Sequence, residues 1–293
     1  MIELANIHFG YSKKRKLFNN LNLQLSSGHL YGLLGKNGAG KTTLLKLICG
    51  LRFPHQGTSL VAGHHSIHRS PLMLRQLYFL MEEFYTPHLR IRDYAKIYAP
   101  FYPNFNLEQF HAYIEEFDIF HLNEYIDKLS YGQKKKVMIS FALASNTPIL
   151  LMDEPTNGLD IPSKTIFRKI MASVLHEEQI VIISTHQVRD LHSIIDSVVI
   201  IDDGQILLNE STDEITQKLL FEVNDEVLEE ETLLYHEESL HGFNIVRKNL
   251  RQEESKIDME LLFNATMAHT AQIKEIFNSN KTMNYGTNYE KKE

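Results

Sequence analysis

Residues 35–42 read Gly35-Lys36-Asn37-Gly38-Ala39-Gly40-Lys41-Thr42, and no other stretch of the 293-residue chain restricts its fold so tightly. A glycine-rich loop ending in Lys-Thr curls so that successive backbone N–H groups surround an anion. It needs a strand to enter from and a helix N-terminus to leave by. Both are present: 29–34 is an apolar run that reads as a strand, and 41–49 has helical spacing. In that setting Lys41 reaches the β- and γ-phosphates of a nucleotide and the Thr42 hydroxyl ligates Mg²⁺. Gly35, Asn37, Gly38, Ala39, Gly40 and Thr43 complete the cradle. The bland alternative is a glycine-rich turn that matches by chance, which the flanking strand and helix disfavour.

A second motif fits the first. Ile149-Leu150-Leu151-Met152-Asp153-Glu154 is an apolar strand ending in two carboxylates. Strand ends face the ligand in an open α/β sheet, so Asp153 can hold Mg²⁺ through water and Glu154 can polarise an attacking water. The bland alternative is a turn after a strand, with which Pro155 agrees.

Periodicity organises the rest. Residues 2–9 and 21–25 alternate apolar and polar, as half-buried antiparallel strands do, whereas 83–145 has helical spacing and no convincing strand. Beyond Pro148, apolar runs at 149–152, 180–184 and 198–201 alternate with helical stretches at 161–176 and 188–195, predicting a parallel sheet covered on both faces. Asp202-Asp203-Gly204-Gln205 reads as a hairpin turn. After Leu220 an acidic stretch, 225–238, precedes a helix expected at 259–271. The expected division is 1–215, with a helical subdomain at 83–145; an accessory unit at 216–278; and a flexible tail at 279–293.

Composition narrows the partners. Thirty-seven acidic against 30 basic residues give a net charge of −7, so no global positive field exists to hold nucleic acid. The lone Cys49 forms no intrachain disulfide and suits a reducing compartment. Met1-Ile2-Glu3-Leu4 shows no basic-then-apolar leader. Apolar runs fall far short of the ~20 residues of a spanning helix, so any membrane crossing is expected from another chain.

Over residues 1–212 these motifs, in this order, resemble those of ABC ATPases. The most diagnostic segment, Leu129-Ser130-Tyr131-Gly132-Gln133, resembles the family signature; Tyr131 departs from it, standing where the family usually has Gly. The resemblance implies an α/β fold: a P-loop NTPase (RecA-like) core with an antiparallel β subdomain, an inserted helical subdomain and here a small C-terminal α+β accessory domain. It implies ATP and Mg²⁺ as cofactors. It also implies a head-to-tail dimer, with an identical chain or a related one, in which Ser130, Gly132 and Gln133 of one subunit cap the nucleotide of the other. Tyr11 resembles the aromatic that stacks on adenine. Asn157-Gly158-Leu159-Asp160 resembles the loop linking the two sites, and His186 the switch histidine that orients the water. Glu82 falls where the family has the Gln that touches metal and membrane partner. Phe84, Tyr85, Tyr94, Tyr98, Phe101 and Tyr102 are divided between a socket for that partner and, for the larger part, subdomain core. Lys134-Lys135-Lys136 reads first as a solvated face near a helix start, with a raised positive potential near a neighbouring signature site as the alternative and nucleic-acid binding a weak third.

More loosely, the chain resembles single-domain ATPases of ABC-2-type bacterial exporters, the YtrB group among them. That implies a transmembrane permease subunit, a place at the cytoplasmic face of the cell membrane, and export, with amphipathic peptides as one cargo class. Two rival readings fit less well. Chromosome ATPases need a coiled coil that 43–128 is too short to hold, and ribosome-acting relatives carry two cassettes. Nucleotide sensors without hydrolysis tend to lack residues such as Glu154 and His186.

Overall fold

The computed structural model describes residues 1–278 apart from 13–14, 189–190, 227–230 and 241; the tail expected at 279–293 lies outside the described residues. The chain opens with β1 (Ile2–Ser12) and β2 (Arg15–Leu25), which pair antiparallel. β3 (His29–Leu34) leads through the glycine loop into α1 (Lys41–Ile48). β4 (Gln56–Val61) and β5 (His64–His65) return beside β1, closing a four-stranded antiparallel sheet in the order β2-β1-β4-β5.

Short α2 (Pro71–Leu74) and β6 (Leu77–Leu80) come before the helical segment, α3 (Ile91–Tyr98), α4 (Leu107–Glu116) and α5 (Tyr131–Ala144). The chain then returns to β7 (Ile149–Asp153), α6 (Ile161–Val174), β8 (Ile180–Thr185), β9 (Ser197–Asp202) and β10 (Gln205–Ser211). The central sheet runs β10-β9-β3-β8-β7-β6, parallel throughout except for the β9–β10 hairpin. Its turn is the expected Asp203-Gly204, with φ 43° and 69°.

Alternation explains why these strands read as unbroken apolar runs. Leu150, Met152, Val181 and Ile183 enter one core, while Ile149, Leu151, Ile180 and Ile182 enter another on the opposite face. Register then levels the strand ends: Leu34 pairs with Thr185, and Asp153 with Ser184. The glycine loop, the two carboxylates and the start of the His186 segment therefore emerge at one edge.

Within the helix expected at 188–195, residues 191–194 form turns, with Leu191 N–H donating to Val188 O (3.1 Å) and Ile194 N–H to Leu191 O (3.0 Å), while 189–190 lie outside the described residues. The segment is pulled back to the sheet directly afterwards, where the Asp196 carboxylate accepts from Leu30 N–H at 3.1 Å and contacts His29 Nδ1 at 3.0 Å.

The C-terminal region comprises α7 (Thr212–Lys218), the strands β11 (Leu219–Asn224), β12 (Leu233–Ser239) and β13 (Gly242–Lys248) in an antiparallel β11-β13-β12 sheet, then α8 (Met259–Ala268) and α9 (Thr270–Asn278). The single helix expected at 259–271 is two, parted at His269 (φ −128°, ψ 45°). Leu219, Val246, Leu262 and Ile273 join the same apolar cluster as Leu30 and Leu34 of β3. No described helix is long and apolar enough to cross a membrane.

Candidate functional site

The glycine loop takes backbone angles that glycine adopts freely. Gly38 has φ 85° and Gly40 φ 109°, and a Cβ on Gly40 would lie 2.7 Å from the Phe18 ring. Lys36, Asn37 and Gly38 form the exposed tip, while Gly35 and Ala39 are buried. Lys41 folds back beneath the loop, its Nζ donating to Gly35 O (2.7 Å) and Lys36 O (3.3 Å). Burial lowers its pKa, opposed by the charges of Glu154, Asp153 and Glu82.

The carboxylates at the end of β7 are buried and divided in role by their partners. Asp153 Oδ2 accepts from the Thr42 hydroxyl at 2.7 Å, and its other oxygen accepts from Ser184 Oγ. Glu154 sits in the left-handed region, φ 46°, a strained setting for a side chain of its size. Its N–H donates to Ser184 O at 3.0 Å, holding the turn to β8. Glu154 Oε1 lies 2.8 Å from His186 Nδ1, and the buried Oε2 finds no hydrogen-bond partner among the described residues. Gln187 Nε2 stands 3.4 Å from His186 Nε2, which fits the tautomer with Nδ1–H donating to Glu154 and Nε2 accepting.

A cavity of about 330 Å³ opens above the loop, lined by Lys41, Thr42, Thr43, Glu82, Glu154 and Tyr11 among others. Tyr11 shares a 2.8 Å hydrogen bond with Thr43 Oγ1 and also lines a neighbouring hollow of about 480 Å³ with Phe9, Phe18 and His55. Glu82 enters from the loop after β6 and accepts from Asn157 Nδ2 at 2.9 Å. Ser130, Gly132, Gln133 and Asp160 do not line this cavity. Ser130 and Gln133 instead form a reciprocal capping box at the start of α5, and Asp160 caps α6 through Ser163 N–H at 2.8 Å. Among the described residues no group of three or more His, Cys, Asp or Glu is arranged to hold a metal. A cation at Thr42 and Asp153 would thus draw its remaining oxygen ligands from phosphate and water.

The ABC transporter family model matches residues 18–157. Over 218 residues the chain is 30% identical to the ABC transporter ATP-binding protein NatA of Bacillus subtilis (strain 168), spanning 71% of this chain and 88% of that protein. The chain belongs to the ABC transporter ATP-binding family. It is also 30% identical over 248 residues to the bacitracin transport ATP-binding protein BcrA of Bacillus licheniformis, covering 80% of each chain. It is 29% identical over 223 residues to the lantibiotic transport ATP-binding protein SrtF of Streptococcus pyogenes, covering 73% of this chain and 92% of that one. The same fold occurs in a dimeric ATP-binding cassette bound to ADP and phosphate, with TM-score 0.64 at 20% identity over 72% of this chain and 98% of that one.

A further sequence expectation fails within this ABC cassette. Lys134-Lys135-Lys136 is no solvated face: Lys135 is 0% exposed, and only 15% of the Lys136 side chain reaches solvent. Helix α5 passes under the Glu82 and Glu154 loops, so the face carrying Lys135 points inward. Lys135 Nζ donates to Glu154 O at 3.1 Å and approaches Glu82 O at 3.5 Å. Tyr131, the departure from the signature, donates to the same Glu82 oxygen at 3.3 Å and stacks on Phe84. Of the six aromatics, Tyr94 is core and Phe84, Tyr98 and Tyr102 pack against it, while Tyr85 and Phe101 remain 84% and 63% exposed. Two site contributors had escaped notice. Ser184 lies at the end of a buried strand, where its hydroxyl calls for a partner. Lys135 was masked by lying in a basic run.

Proposed function

We propose that the chain is the ATP-hydrolysing subunit of an exporter, working as one of a pair of cassettes at the cytoplasmic face of a membrane beside a separate permease. Glu154 carries this reading. One oxygen is tied to His186, the other is buried with no hydrogen-bond partner among the described residues, and Glu154 lines the cavity that also exposes Lys41 and Thr42. The carboxylate is the base at this cavity that would accept a proton from water. His186, its side chain 37% exposed, holds the carboxylate in orientation through Nδ1. Loop N–H groups and Lys41 neutralise charge on the phosphates, and in-line attack yields ADP and phosphate. The paired hydroxyl of Thr42 and carboxylate of Asp153 are the residues that would hold Mg²⁺, with Glu82 nearby. When bound, the ion would add further charge neutralisation. The hollow of Phe9, Tyr11, Phe18 and His55 would take the adenine.

Pairing of cassettes is supported by the signature residues Ser130, Gly132 and Gln133 lying outside this chain's own cavity, where a second subunit's nucleotide could meet them. Export, and peptide cargo in particular, is supported by the names of the bacitracin and lantibiotic relatives. Glu154→Gln is expected to keep ATP affinity while lowering turnover by roughly 10²-fold or more; near-normal turnover of that variant would refute the assignment. Tagged Glu154→Gln protein with ATP and Mg²⁺, used for pull-down from solubilised membranes, should recover a multi-spanning protein. Recovery of ribosomes, DNA or soluble partners alone would overturn the exporter reading and leave the ATPase intact.

A further inference from the structure

Lys135 is a buried cation that the reaction just described does not use. An ammonium taken out of water is unfavourable unless its protons find acceptors and its charge a counter-charge. The protons are met by main-chain oxygens, Glu154 O at 3.1 Å and Glu82 O at 3.5 Å, and the Phe84 ring centroid lies 5.6 Å away. The counter-charge comes from Glu82, on the loop after β6, and from Asp153 and Glu154 at the end of β7. These are the same three carboxylates that face Lys41.

The location on Glu154 matters as much as the charge. Glu154 holds its left-handed φ of 46° because its peptide groups are gripped on both sides: N–H by Ser184 O at 3.0 Å, and O by Lys135 Nζ and by Asn157 N–H at 3.2 Å. Asn157 also donates to the Glu82 carboxylate. Glu82, Asn157, Glu154 and Lys135 thus form one closed set of contacts beneath the cavity. Three carboxylates standing together would repel one another, and Lys41 alone leaves an excess of negative charge where a polyphosphate must enter.

We infer that Lys135 is a positioning residue of the hydrolytic site: its ammonium, seated on the main-chain oxygens of Glu154 and Glu82, fixes the Glu154 turn and balances the carboxylate that Glu82 adds to Asp153 and Glu154. The inference rests on Glu154 being the hydrolytic residue. Lys135 acts through Glu154 and Glu82 and touches neither nucleotide nor water. Because its role is partly to offset Glu82, the need for its charge should fall when Glu82 loses its own.

Turnover and the affinity for a fluorescent ATP analogue should be measured on the full chain as wild type, Lys135→Met, Glu82→Gln, the Lys135→Met/Glu82→Gln double variant, and Glu154→Gln as reference. Lys135→Met is expected to lower turnover about tenfold or more with analogue affinity within about threefold of wild type, the pattern of lost positioning rather than lost binding. In the double variant turnover should return to within about threefold of Glu82→Gln alone, the coupling expected of groups in one network. Wild-type turnover in Lys135→Met, or a double variant no better than Lys135→Met, would overturn the inference in favour of plain packing. Glu154→Gln separates the two readings. If it is inactive while Lys135→Met is normal, only the role of Lys135 is lost; if it turns over normally, the hydrolytic reading falls and this inference with it. Should Lys135→Met not fold, Lys135→Gln, alone and with Glu82→Gln, takes its place: a loss of turnover of about tenfold that Glu82→Gln relieves is expected, and wild-type turnover or an unrelieved loss would overturn the inference.

Discussion

Two buried lysines face Glu82, Asp153 and Glu154 from different parts of the chain. Lys41, at the start of α1, is held by carbonyls of its own loop, six and five residues earlier. Lys135, within the first turns of α5, is held by carbonyls 19 and 53 residues away. The first arrangement is written in one octapeptide, since the loop that cradles an anion also seats the lysine. The second exists only because α5, β7 and the loop after β6 are packed together. Charge of the same kind, beside the same acids, is thus placed once by local geometry and once by tertiary packing. The two should fail differently.

The widest separation is expected in nucleotide affinity. Lys41→Ala removes the cation proposed to meet phosphate, and binding of a fluorescent ATP analogue should weaken by about 10²–10³-fold, the scale of a lost buried charge contact. Unchanged affinity would erase the distinction from Lys135. A second separation lies in stability at alkaline pH. Burial lowers the Lys135 pKa from 10.5 to about 8, against the pull of Glu82, Asp153 and Glu154. The unfolded chain therefore binds more protons between these values, and this lysine's unfavourable contribution is complete below pH 8 and relieved as pH rises toward 10.5. Lys135→Met should gain stability relative to wild type at pH 7, by roughly 2–3 kcal/mol before any cavity or packing loss, and that advantage should shrink with rising pH. Denaturant unfolding of both proteins across that range measures the difference, and parallel curves would show that the ammonium is not desolvated.

Ser184→Ala should have a smaller effect. It removes one donor from buried Asp153 while Thr42 remains, so a loss of about 1–2 kcal/mol is expected, a fall of a few degrees in Tm. Tyr131→Phe should do least. It deletes one long hydrogen bond to the Glu82 oxygen that Lys135 also approaches, and turnover and Tm should stay within the roughly 0.5 kcal/mol of a surface change. A loss as large as that of Lys135→Met would mean that the contact to Glu82 O, rather than the charge, is what counts at the start of α5.

What could be read without coordinates follows the same division. The phosphate loop, the strand ending in Asp153-Glu154, the β9–β10 hairpin and the two-faced parallel sheet were legible because each is set by residues close in sequence: glycines that permit positive φ, and apolar runs buried on both faces. At 191–194 the helical spacing gives turns instead of helix, and the anchor that follows, Asp196 on Leu30 N–H, joins residues 166 positions apart. The basic run was misread for a related reason, since three consecutive lysines on a helix point in three directions and only the packing of α5 decides which is inside. That Ser130, Gly132 and Gln133 serve another subunit's nucleotide was implied by the resemblance alone, and the fold adds that they lie outside their own chain's cavity.

By itself, then, the sequence determined the anion-binding loop, the acids at the strand end and the class of fold, because backbone conformation and strand burial depend on near neighbours. The tertiary structure decided that Ser184 grips both Asp153 and Glu154, that Asn157 reaches Glu82, and that Lys135 is buried among the acids rather than exposed. Desolvation and the pairing of charge depend on whatever the folded chain brings within a few ångströms, and no local pattern records that.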